Sequence, residues 1–184
     1  MSENQEQHKT WKMYRKAYSY LDFNSSIIPN FMSDTASDQY GTWTILADTA
    51  LTTDAYKMFN SDSNDYSQVR DKTLTNSVDI LEPLELVLPN RMSIKPKQFS
   101  IICTSNTAAH TKIYGYNVST SQYEALGTVQ TSSTVASTKY INVTTDNYYS
   151  KFKLVLDHMT SGFSSGAVLK YYDIRLLSGT IRKG

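Results

Sequence analysis

The 184-residue chain predicts an all-β domain, and three observations support that class. It carries 21 Thr and 14 Tyr, residue types that favour pleated strands. Ala, Glu, Lys and Leu nowhere gather into a helix-length amphipathic block. Short runs with alternating or β-rich patterning recur between Ser/Thr/Asn/Gly clusters, which is the rhythm of strands and turns.

The elements follow in chain order. Lys9 to Leu21 spaces Trp11, Tyr14, Tyr18 and Leu21 three and four apart, which matches a helical stripe, although the same aromatics suit an extended arm. Residues 1–28 hold Lys9, Lys12, Arg15 and Lys16 and no clear strand pattern. They read as an N-terminal extension, with a single domain over 29–184. Thr42–Leu46 is the first strand. Asp54 stands at an N-cap position before Ala55–Phe59, where apolar residues three apart predict one helical turn. Leu84–Leu88, Gln98–Cys103, Thr111–Val118, Tyr140–Val143, Phe152–Asp157 and Ala167–Leu177 supply further strands, and Thr128–Thr138 reads as a long hairpin or edge loop. In Phe152-Lys153-Leu154-Val155-Leu156 and in Ile113–Val118 one face is apolar with period two, as in a half-buried strand of a sandwich.

Composition excludes several function classes. With 18 Lys+Arg against 17 Asp+Glu there is no clustered positive charge of the kind that nucleic-acid binding needs. Apolar runs stop at two or three residues, far short of the roughly 20 that cross a bilayer. The opening Met1–Gln7 is polar and acidic, unlike a secretory signal, so the expected site of synthesis is a reducing cytosol. Cys103 is the single cysteine, and its setting after Ile101-Ile102 predicts a buried, small apolar residue. A chain of this size buries about 70% of its unfolded surface, enough for a core without internal disulfides.

Catalysis has no motif behind it. His8, His110 and His158 lack any nucleophile or metal-ligand spacing, and no phosphate-cradling glycine loop is present, so the expectation is a non-enzyme. The loop Asn60-Ser61-Asp62-Ser63-Asn64-Asp65 gathers hard oxygen donors of the type that Ca²⁺ prefers, with Asn60, Asp62 and Asp65 as candidate ligands. The same residues are those that solvated turns use. Trp11, Tyr14, Tyr18, Tyr20 and Phe23 form an aromatic series with little local core to bury it. That series either meets a partner or sister subunit, or lies back on its own sandwich.

A family resemblance runs through residues 28–181. Ile28-Pro29-Asn30-Phe31-Met32-Ser33-Asp34, Gly41 and Asp54-Ala55-Tyr56-Lys57-Met58-Phe59-Asn60 resemble the opening of the galactose-binding-like superfamily of discoidin and coagulation-factor C-domain type. Leu84–Pro89, Ile94–Ile101 and Lys112–Asn117 with Gln122–Leu126 continue the likeness, with Tyr123 where the family has Trp. Tyr171–Leu176 looks like the closing strand, with Asp173 in place of the usual Glu.

The resemblance implies an eight-stranded jelly-roll β-sandwich with an N-terminal extension. It also implies a calcium beside the 60–65 loop to which Asp173 contributes. Sugar binding by strand-end aromatics would fall to Trp43, Tyr66, Arg70, Tyr148, Tyr149 and Phe163, with Asn147 among them. Modules of this Ser/Thr-rich, cysteine-poor style are similar to those of bacteriophage head fibres, tail fibres and baseplates. The function expected first is therefore a non-enzymatic virion structural protein, assembled in the host cytoplasm as a homo-oligomer and attached to other virion proteins through its arm. The alternative is a carbohydrate-binding module or adhesin for a cell-surface glycan.

Overall fold

The computed structural model describes residues 17–70, 81–105, 109–131, 134–158 and 168–184. In chain order the elements are β1 (Ser19–Phe23), β2 (Thr35–Asp38), β3 (Gly41–Ala47), β4 (Thr52–Thr53), a 3₁₀ turn (Ala55–Phe59), β5 (Ser67–Arg70), β6 (Leu81–Val87), β7 (Met92–Ser105), β8 (Ala109–Asn117), β9 (Gln122–Thr131), β10 (Ser137–Asn142), β11 (Tyr149–His158) and β12 (Val168–Lys183). All pairings are antiparallel. One layer runs β2-β3-β6-β11-β8-β9, and the other runs β10-β7-β12 with β1 and the β5-β4 pair both on the far edge of β12. A single pair, Tyr149 opposite Ile94, joins the two layers. The fold is a jelly-roll β-sandwich, and twelve strands are described because short edge pieces such as β2 and β4 add to the long ones.

Period-two patterning explains the core. Phe152, Leu154 and Leu156 of β11 face Phe99, Ile101 and Cys103 of β7 with Ile174 and Leu176 of β12, all buried. Each apolar side chain of this size contributes about 1.5–3 kcal/mol when fully buried. Cys103 lies among them, its thiol pushed up in pKa chiefly by burial and placed 3.0 Å from Thr131 Oγ1. It is the inert core residue that the sequence predicted. The hydroxyl of Tyr171 is satisfied at 2.7 Å by Thr111 Oγ1, so this buried ring leaves no phenol unpaired.

Pro96 sits in the central strand β7, where its missing N–H would break a ladder. The break falls at a register shift, where the pairing passes from Ser178–Gln98 to Gly179–Pro96.

Several expectations need correcting. Residues 19–21 are strand, not helix: β1 pairs Tyr20 with Arg182 and Phe23 with Gly179, so backbone bonds to β12 override the helical spacing of the aromatics. Ala17 and Tyr18 are neither helix nor strand, and residues 9–16 of the proposed helix, including Trp11 and Tyr14, lie outside the described residues. Phe23 packs on the core and Ile28 is buried within it. The aromatic series from Tyr18 onward is thus laid on its own sandwich. The one-turn helix at 55–59 is present as a 3₁₀ turn, but Asp54 makes no capping bond. It has left-handed φ of 49° and its carboxylate instead meets Lys57 Nζ at 3.4 Å.

Candidate functional site

The predicted sugar-binding residues do not assemble in one place. Trp43 is fully buried between the layers, and its Nε1 donates to Asp38 Oδ2 at 3.0 Å. It offers no face to a ligand. The alternation Thr42-Trp43-Thr44-Ile45 carries the reason, since it puts Trp43 and Ile45 on the inner face of β3. Tyr66 is half-buried near Tyr172, ring centroids 5.3 Å apart, under the ammonium of Lys170 at 4.5 Å. The backbone of Arg70 closes β5, while its side chain and all of Phe163 lie outside the described residues.

Tyr149 and Asn147 serve a structural network. Glu124 of β9 accepts from Asn117 Nδ2 at 2.8 Å, from Tyr149 OH at 2.8 Å and from Asn147 Nδ2 at 3.0 Å. These donors, Asn117 first, hold the Glu124 carboxyl below the usual range, while burial pushes the Tyr149 phenol up. A carboxylate whose folded pKa is depressed adds stability above its unfolded pKa and loses it as pH falls through the folded value. Glu124→Gln is therefore expected to melt below the native protein at pH 7. The gap should close on acidification through the carboxylate range, as scanning calorimetry across pH would show; a gap that is constant with pH would refute the account.

The proposed calcium ligands are also engaged. Asn60 and Asp62 accept backbone N–H groups within their own loop, at 3.0 Å from Asp62 and 2.9 Å from Asn64. Asp65 meets Lys57 Nζ at 3.1 Å. Asp173 does come close to this loop, as the resemblance implies, but through a protein cation. Arg175 Nε lies 2.8 Å from its carboxylate, and Arg175 Nη2 also donates to Ser61, which bonds Asn30. The Arg175 guanidinium thus supplies the positive charge beside Asp173, and Lys57 supplies it beside Asp65. Among the described residues no group of three or more His, Cys, Asp and Glu is placed to hold a metal ion.

What the fold does bring together is a patch that combines Tyr148 with the arm. In β1, Leu21 is paired with the buried Ile181, so Tyr20 and its neighbour Arg182 point from the opposite, outer face. Ser93 and Lys95 of β7 continue that face, opposite Arg182 and Thr180. Tyr148 lies over it: its ring is 6.1 Å from Tyr20 edge-on, 4.4 Å from Arg182 Cζ and 5.8 Å from Lys95 Nζ. Arg182 also stands 5.0 Å from the Tyr18 ring and donates from Nε to Ser93 Oγ at 3.1 Å. Partial burial, then the neighbouring Tyr20, pushes the Tyr148 phenol up, so the ring is neutral at pH 7.

Tyr20 is 59% exposed, as open as Tyr140 of β10 at 57%. A second aromatic row, on the other layer, differs in this respect. There Lys153 sits 4.1 Å over Tyr123 and Lys151 5.1 Å over Tyr116, much as Arg182 sits by Tyr148, and Tyr123 OH bonds Glu85, but neither ring is as open as that of Tyr20. Tyr148 and the arm tyrosines were each singled out from sequence. Arg182 and Lys95 were missed, because only strand pairing across some ninety residues sets them beside those rings.

By sequence, no known protein family and no characterised protein matches the chain. By structure it is similar to a family 29 carbohydrate-binding module from Piromyces equi, with TM-score 0.44 and 9% identity over 91% of this chain and 92% of that one. It is likewise similar to the family 32 carbohydrate-binding module of AlyQ in complex with 4,5-unsaturated mannuronic acid, with TM-score 0.46 and 6% identity over 82% of this chain and 98% of that one.

Proposed function

We propose that the protein is a non-catalytic carbohydrate-binding module whose site is the Tyr18–Tyr20–Tyr148 patch. The observation that carries this reading is the open ring of Tyr20 beside Tyr148, flanked by the donors of Arg182 and Lys95. A pyranose presents an apolar C–H face and a rim of hydroxyls. An exposed ring with a few fixed donors beside it matches both halves. Backbone pairing of β1 with β12 along Ser19–Phe23 positions Tyr20 before a sugar arrives, which lowers the ordering cost of binding.

Titration calorimetry against a glycan panel tests this directly. Tyr20→Ala and Tyr148→Ala are each expected to weaken binding by about tenfold, corresponding to about 1.4 kcal/mol of lost stacking. Melting temperature should stay near the native value, since both side chains lie outside the core. Binding that survives both substitutions would move the site elsewhere. The virion role and the homo-oligomer remain expectations of the sequence, and no observation among the described residues favours them over glycan binding.

A further inference from the structure

We infer that the glycan bound at this patch is acidic, a polysaccharide bearing carboxylates such as a polyuronate; the inference rests on the carbohydrate-binding reading above. The patch holds two cations, Arg182 and Lys95, and among the described residues neither is paired with a carboxylate. Lys57, Lys151, Lys153 and Arg175 each meet an Asp or Glu, as with Lys153 and Glu82 at 3.0 Å, whereas Arg182 and Lys95 share the lack of one among the described residues with several other surface cations such as Arg91 and Lys97. Among the described residues Asp22 lies beside the patch, where one of its oxygens accepts from Thr180 Oγ1 at 2.5 Å and its charge reaches Tyr148.

Arg182 is held ready for an anion. Its guanidinium is stacked between the Tyr18 and Tyr148 rings, and Nε is fixed by Ser93. Those contacts leave its terminal nitrogens as a planar fork, the geometry that pairs with a carboxylate through two parallel bonds. A neutral sugar would use such a fork as an ordinary donor and leave its charge unmatched. Past Tyr18 lies an open concavity lined in part by Asn90, Arg91 and Lys183, which leaves room for a further sugar residue, although the Lys183 ammonium itself donates to the Tyr40 carbonyl at 2.6 Å. The rings set beside these cations favour a sugar over a simple anion, because they supply the apolar face on which a pyranose stacks.

The test uses the full chain with three probes in calorimetry: oligogalacturonates, the same oligomers after carboxyl reduction to neutral sugars, and an oligothymidylate of equal charge. Oligogalacturonate is expected to bind at least about tenfold more tightly than its reduced form, and to weaken as salt rises. Arg182→Gln and Lys95→Gln should bring it down to the reduced level while Tyr20→Ala weakens both sugars. Lys95→Gln keeps the test decisive should the loss of the Ser93 bond disturb Arg182→Gln. Equal binding of reduced and acidic oligomers would overturn the acidic specificity and leave the carbohydrate reading standing. Binding of the oligothymidylate as tight as the uronate would overturn it in favour of a general polyanion site. Failure of both sugars would overturn the carbohydrate reading itself.

Discussion

Trp43→Ala is expected to be among the most damaging single substitutions in this protein. The ring is fully buried and belongs to the continuous core between the layers. Removing it forfeits the burial of the indole and opens a cavity that a two-layer sheet collapses only in part, at a cost of about 3–5 kcal/mol. For a domain of this size that lowers the melting temperature by about 10 °C. A second loss adds to it. Asp38 accepts from Trp43 Nε1 at 3.0 Å and from the Tyr40 amide at 2.8 Å, which ties the β2–β3 hairpin, and the substitution removes one of those donors. Trp43→Phe separates the parts, because it keeps most of the volume and loses the bond alone, for about 1–2 kcal/mol. Urea unfolding of the three proteins measures both. A Trp43→Ala protein as stable as the native one would mean that the indole lies at the surface after all, as its initial assignment to a sugar site required.

Gly179→Ala should be nearly as harmful for a different reason. A Cβ at this position would stand 2.5 Å from the carbonyl oxygen of Lys95 and 3.0 Å from the Phe23 ring. The ring can turn aside, but the carbonyl belongs to the backbone of β7 and moves only if β7 and β12 separate. These are the longest strands of their layer, and the clash falls where their register already shifts beside Pro96. Overpacking of this kind costs about 1–3 kcal/mol and sometimes more. Because Phe23 seats β1 on β12, the same substitution should also displace Tyr20 and weaken glycan binding. Phe23→Ala in the Gly179→Ala background is expected to recover little stability, since it removes the ring contact and leaves the carbonyl contact. Full recovery would place the strain in the ring. A Gly179→Ala protein that melts within about a degree of the native one would refute the close approach altogether.

Most of the long strands were legible because their evidence is local; β9 was not, since its Thr128–Thr131 end reads as loop. Alternation in Phe152–Leu156 and Ile113–Val118 fixes an inner and an outer face without reference to the rest of the chain, and the structure buries Ile113, Phe152, Leu154 and Leu156, although Val155 on the other face is buried as well. The same logic was available at two places where it was not applied. Thr42-Trp43-Thr44-Ile45 already puts Trp43 beside Ile45, and Tyr18, Tyr20 and Asp22 alternate with Leu21 and Phe23. Spacings of three and four between aromatics competed with that second pattern, and a five-residue edge strand gives period two little length in which to win. The short strands β2, β4 and β5 carry too few apolar residues to announce themselves at all.

The candidate site divides in the same way. Sequence supplied Tyr18, Tyr20 and Tyr148 as aromatics without an obvious home, and it supplied Asp173 and the 60–65 loop as oxygen donors in want of a cation. It could not tell that Arg175 is the cation beside Asp173 and Lys57 the one beside Asp65, nor that Arg182 and Lys95 stand beside the tyrosines, because these depend on tertiary contacts between separate elements. What the sequence determined by itself was the all-β class, the position of most long strands and the burial of Cys103, since each follows from composition and near-neighbour patterning. Only the tertiary structure decided which aromatics fill the core and which meet solvent. That choice is made by register between strands far apart in the chain, and a shift of one residue there would exchange the two faces.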